Sequence, residues 1–147
     1  SKIKEKVFEE KKKILGICLG MQLLGTSSTE NGFTKGLSLI DNKVEKFSKQ
    51  DVKENNIPHV GFNNINIIDD KNGFFKNLTN KSNFYFVHSY HANPTNSEHI
   101  VGYYDRQGSR IAALIRKNNI LGAQFHPEKS GKNGLKLLQN FLDETYT

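Results

Sequence analysis

The run Ile14-Leu15-Gly16-Ile17-Cys18-Leu19-Gly20-Met21-Gln22-Leu23-Leu24 constrains this chain more than any other stretch. Residues 14–18 are a short apolar run that reads as a buried strand, and Met21, Leu23 and Leu24 then follow a helical pattern over residues 20–27. A strand that becomes a helix so quickly needs a sharp turn, and Cys18 stands in it with a glycine two residues to either side. This has the form of a nucleophile elbow, in which glycines remove Cβ atoms where strand and helix nearly touch and the turn thrusts one side chain outward. A thiol over a helix N-terminus is expected to gain thiolate character, and the free amide of Leu19 is expected to face a developing oxyanion. The alternative is an inert cysteine buried as a small hydrophobe.

A second cluster, Gln124-Phe125-His126-Pro127-Glu128-Lys129-Ser130, ends an apolar run. In an extended segment residues i and i+2 share a side, so the Glu128 carboxylate can hold one ring nitrogen of His126 and leave the other for a thiol. Pro127 fixes its own φ and biases His126 towards an extended backbone. Cys18, His126 and Glu128 together supply a nucleophile, a base and an orienting carboxylate, the logic of covalent acyl transfer.

Elsewhere, Ile3, Val7 and Phe8 recur at helical spacing among Lys and Glu, which predicts an amphipathic helix over residues 3–12. Residues 43–47, 65–68, 84–88, 99–104, 111–116 and 120–125 are short β-prone runs separated by Asn, Gly and Asp, which suggests hairpins. Leu135, Leu138, Phe141 and Leu142 predict a closing helix after Gly131 and Gly134. No repeat or long linker divides the chain, so residues 1–147 read as one domain, an α/β core with an antiparallel extension. Only one helix precedes the candidate central strand, few for a mostly parallel sheet, so first strands are expected to be missing.

Composition narrows the function. The net charge of +6 comes from 18 Lys and only 3 Arg, scattered with 17 Asn. Arg is the better fork for phosphate and guanine, so nucleic acid is not the expected partner. The longest apolar stretch, residues 14–21, is shorter than the about 20 residues that cross a bilayer. A single Cys closes no intrachain bridge, and residues 1–13 carry six Lys and three Glu instead of an apolar leader, so a cytoplasmic location is expected. His88 and His91 stand three apart at the end of a strand with no Cys nearby, so no metal is expected, and His59 and His99 read as ordinary polar residues.

Residues 16–24 with 124–130 resemble the class I, triad-type glutamine amidotransferases. Within that family Pro58-His59-Val60-Gly61-Phe62-Asn63, Tyr85-Phe86-Val87-His88-Ser89-Tyr90 and the Lys129-Ser130 pair are most similar to the glutaminase subunit of imidazole glycerol phosphate synthases. The resemblance implies a flavodoxin-like, mostly parallel sheet and, without a cofactor, hydrolysis of glutamine to glutamate and ammonia through a thioester on Cys18. It also implies that Gln22 contacts the substrate glutamine, Glu30 its α-amino group, and the backbone at Ser89 and Tyr90 its α-carboxylate end. A (β/α)8 cyclase partner in histidine biosynthesis is implied as the consumer of the ammonia, with Phe62, Tyr85 and Lys129 facing it. Phe62 stands where the family usually has Trp, which keeps an aromatic face without the indole donor. Similar subunits supply ammonia for amidation of nucleotide-activated sugars, and a non-catalytic binding domain is the reading from another class. The family carries a further N-terminal segment with a Gly-rich oxyanion loop, so an N-terminally incomplete domain is expected; one lost oxyanion donor costs about 10² to 10³ in rate.

Overall fold

Strand β1 (Ile14–Ile17) forms where the sequence places it and pairs in parallel with β11 (Ile120–Ala123), Ile14 opposite Ile120 and Ile17 opposite Ala123. The computed structural model describes residues 1–48, 57–68, 74–79 and 82–144. From β11 the sheet continues antiparallel through β10 (Ser109–Lys117) and β9 (Ile100–Arg106) to the short β6 (Asn66–Ile67), in the order β1-β11-β10-β9-β6. Residues 111–115 of β10 are all buried, as expected of a strand covered on both faces. Ile111 and Ala113 join a core with Phe74, Phe84, Phe86, Phe125 and Leu137. Ala112 and Ile115 join a second core with Val7, Met21, Leu24, Leu39 and Ile40.

Two smaller sheets complete the described strands. One has the order β3-β2-β4-β8, from β2 (Ser27–Ser28), β3 (Thr34–Lys35), β4 (Asn42–Lys46) and β8 (Tyr90–Pro94). The other is an antiparallel ribbon of β5 (His59–Asn64) and β7 (Asn83–His88), with His59 opposite His88 and Phe62 opposite Tyr85. Parallel pairing occurs at β1–β11 and β2–β4, so both parts of the mixed α/β architecture are present, the antiparallel part being the larger among the described residues.

The helices depart from their sequence-based bounds for identifiable reasons. Helix α1 (Lys2–Phe8) is shorter than residues 3–12, because the buried Asn119 amide draws in the carbonyls of Val7 and Lys12 at 2.8 and 2.7 Å and turns the chain towards β1. Helix α2 (Leu19–Leu23) stops before Ser27, since the loop at 37–40 bonds the carbonyls of Leu23, Leu24 and Gly25. Helix α3 (Gly131–Asp143) closes the fold as expected, but its stripe is shifted. Leu137 is buried, and Phe141 packs against the first core, whereas Leu135 and Leu142 are exposed. Lys13 Nζ donates to the carbonyls of Phe141, Leu142 and Glu144 at 2.6 to 2.8 Å, binding the end of α3 to the start of β1. Among the described residues no helix is long and apolar enough to cross a membrane.

Candidate active site

Cys18 sits between β1 and α2 at φ 51°, ψ −107°, a conformation non-glycine residues rarely hold. Its N–H donates to Ala123 O at 2.7 Å, one rung beyond the β1–β11 pairing, while its carbonyl accepts the Gln22 N–H. The two glycines of the elbow differ. A Cβ on Gly16 would lie 2.6 Å from the backbone of Gly20, so only glycine lets α2 pass over β1 there. A Cβ on Gly20 would meet nothing within 4 Å, so the steric reading of that second glycine is corrected: it faces open space.

The thiol does not gain the acidity expected of a helix N-terminus. Burial pushes the Cys18 pKa up, and the Leu19 N–H, donating to the sulfur, only partly opposes this. Helix α2 has five residues and offers little dipole to add. The carboxylates of Glu128 and Glu30 raise the thiol further, which brings both acids into electrostatic reach of the sulfur, while Gln124 lowers it through a hydrogen bond. Sγ lies 3.9 Å from the donating Gln124 Nε2 and itself points to Val87 O at 3.8 Å.

His126 leaves β11 with an extended backbone, and its N–H donates to Tyr85 O at 2.9 Å. Nδ1 is 2.5 Å from Glu128 Oε1, leaving Nε2 as the free ring nitrogen. The pair was expected from alternation along a strand, but a 3₁₀ turn, Pro127–Lys129, brings the carboxylate round. Ser130, buried at its end, carries the clamp: its Oγ accepts the Tyr85 N–H at 2.9 Å and donates to His126 O at 2.6 Å. Helix α3 seals the turn from outside, since a Cβ on Gly134 would stand 1.8 Å from Pro127 O.

Of the residues named for substrate, Glu30 acts on the thiol electrostatically and Gln22 is linked to it through Gln124. Gln22 is buried, with Nε2 3.4 Å from Tyr90 O and 3.5 Å from Gln124 Oε1. Ser89 O accepts the Phe47 N–H at 3.2 Å, which anchors the segment between β7 and β8. The rings of Phe62 and Tyr85 meet at a tilt on the outer face of the β5–β7 ribbon, 5.4 Å between centroids, and Lys129 Nζ lies 6.0 Å from the Tyr85 ring centroid. Phe62 and Val60 are more than half exposed there, on a face rimmed by a cation.

Sequence reasoning missed Gln124, Ser130 and the pairing of His59 with His88. Gln124 and Ser130 flank the His-Pro-Glu triplet, and their position was the available signal. His59 carried none, since its strand reads as a motif of Pro, His, Gly and Asn.

The family description "Glutamine amidotransferase class-I" matches residues 1–145. The imidazole glycerol phosphate synthase subunit HisH of Methanocaldococcus jannaschii is 44% identical over 138 residues, covering 94% of this chain and 67% of that protein. The subunit HisH 1 of Methanococcus maripaludis is 44% identical over 134 residues, covering 91% and 63%. The chain thus spans about two thirds of the length of these relatives. Among solved structures, a glutamine amidotransferase of Thermotoga maritima superposes with a TM-score of 0.63 at 15% identity, over 97% of this chain and 52% of that one, a likeness of fold.

Proposed function

The chain belongs to the class I glutamine amidotransferases, and from that premise we propose that it hydrolyses glutamine to glutamate and ammonia with Cys18 as nucleophile. The observation that carries this reading is Cys18 in its positive-φ turn, under the influence of the carboxylate that grips His126 Nδ1. His126 Nε2 takes the thiol proton, and the thiolate attacks the γ-carboxamide carbon to give a tetrahedral oxyanion within reach of the Leu19 N–H. Collapse breaks the carbon–nitrogen bond as His126 returns the proton to nitrogen, releasing ammonia and leaving a γ-glutamyl thioester. Water, deprotonated by His126, then attacks the thioester; glutamate leaves and the thiol is restored. Glu128 holds Nδ1–H and stabilises the imidazolium at each transfer. A thiol with a raised pKa is not a standing thiolate, so proton removal belongs to the attack itself.

Gln22 and the backbone at Ser89 and Tyr90 bind the amino-acid end of the substrate, with Glu30 on its ammonium group. The ammonia passes to a (β/α)8 cyclase subunit of histidine biosynthesis, which docks on the face of Phe62, Tyr85 and Lys129. Support for this partner is the 44% identity to subunits of imidazole glycerol phosphate synthase.

The test is mass spectrometry after incubation with a diazo-ketone analogue of glutamine. Addition is expected at Cys18, blocked by excess glutamine and lost in Cys18→Ala. A folded chain that takes up no label at Cys18 would overturn the proposal.

A further inference from the structure

The glutaminase chemistry leaves unused a buried cluster between β5, β7 and β9. Tyr104 Oη lies 2.9 Å from His88 Nε2 and 3.1 Å from His59 Nδ1, with Tyr104 and His88 both buried. Donor and acceptor roles follow from the two ends inward. A carbonyl only accepts, so His88 Nδ1, 2.8 Å from Tyr90 O, carries that ring's proton. Burial lowers the His88 pKa to about 3, so the ring is neutral and Nε2 holds a lone pair that needs a donor. At the other end, Asn63 Nδ2 lies 3.3 Å from His59 Nε2. Burial lowers His59 to about 4, so that ring is neutral too, with its proton on Nδ1 facing Tyr104. Arg106, which can only donate, also hydrogen-bonds Tyr104. His59 Nδ1–H lies nearer to Tyr104 Oη, at 3.1 Å, than to His88 Nε2, at 3.4 Å, so Oη accepts from His59 and Arg106, and its one proton goes to His88 Nε2.

The outcome is a directed chain in which each donor finds an acceptor, from Asn63 through His59, Tyr104 and His88 to the Tyr90 carbonyl. That carbonyl is the one Gln22 Nε2 reaches at 3.4 Å, and the same amide meets Gln124, which touches the Cys18 sulfur. We propose that Tyr104 and His88 are positioning residues for glutamine: the chain holds His88 as its Nδ1–H tautomer, which fixes the Tyr90 carbonyl and, through it, Gln22. This rests on the glutaminase reading for what Gln22 and the Tyr90 backbone bind. Neither residue touches the reacting amide, so the effect falls on binding of substrate and transition state alike.

The test combines nitrogen-15 NMR of the histidine rings with glutamine kinetics on the protein together with its synthase partner. Wild type should show His88 protonated at Nδ1 and bare at Nε2. In Tyr104→Phe, Nε2 loses its nearer donor and keeps only the His59 Nδ1–H at 3.4 Å, so the ring should shift towards the Nε2–H form, with KM for glutamine rising about tenfold and kcat within about threefold. His88→Asn, whose amide supplies a donor in place of Nδ1–H, should keep KM within about threefold, while His88→Phe should match Tyr104→Phe. Should Tyr104→Phe fail to fold, Asn63→Ala tests the same chain from its outer end, with a smaller rise in KM and a change of His59 tautomer.

A wild-type His88 protonated at Nε2 overturns the proposal, and so does an unchanged KM in Tyr104→Phe while wild type turns over glutamine. Absence of both turnover and diazo-ketone labelling in wild type overturns the glutaminase reading itself, and this role with it.

Discussion

Gly16 and Gly20 occupy mirrored places around Cys18 yet do different work. Gly16→Ala forces a methyl group into the backbone of Gly20 and should cost about 1–3 kcal/mol in urea unfolding. Gly20→Ala meets no protein atom within 4 Å and replaces a poor helix former, so stability should hold or rise by up to about 1 kcal/mol. At this scale the sequence told most about local geometry. Residues adjacent in the chain, such as Cys18 with Leu19 and His126 with Glu128, were legible because their contacts are set by one turn. The direction of the thiol pKa was not, since burial and two acids distant in the chain, Glu30 and Glu128, outweigh the local helix end.

Among the elements, α3 holds the turn that carries Glu128 by contact of backbone with backbone. Gly134→Ala places a methyl group 1.8 Å from Pro127 O and must move either the helix or the turn. The expected outcome is a loss of about 1–3 kcal/mol by denaturant titration. Glutaminase kcat should fall too, because the displaced turn carries Glu128. A variant that lost stability with kcat intact would show that the turn yields without disturbing His126. Strands rich in Val, Ile and Phe, such as β7 and β10, were legible from composition. Strands β5 and β8 were not, because His, Asn and Pro have low strand propensity and are held in place by pairing with β7 and β4. The exposed Leu135 and Leu142 likewise satisfied a helical period without belonging to the buried stripe.

For the molecule as a whole, the buried neutral histidines make stability depend on pH. His88 and His59 titrate near 3 and 4 in the folded protein, below the ordinary 6.5 that the unfolded chain regains. Between those values the unfolded state binds more protons, so stability is full above about 6.5 and is lost as pH falls towards 4 and 3. His99, lowered chiefly by burial, acts in the same direction. Urea midpoints should report a loss of about 2 kcal/mol between about pH 7.5 and about pH 5.5, and replacing His59 and His88 together by Asn should flatten that slope. Burial sets these values first, and the cations that lower them further, Arg106 and His91, converge from β9 and β8, an arrangement no stretch of sequence displays.

Strand β7 hands its Tyr85 carbonyl to the His126 amide and its Val87 carbonyl to the Cys18 thiol. The proposed base and nucleophile are thus referred to one short rail, two residues apart. Thermal displacement of that rail is common to both, and it cancels in their separation. The proposed pair can ride on a moving surface and keep its spacing, as two markers on one ruler do when the ruler shifts.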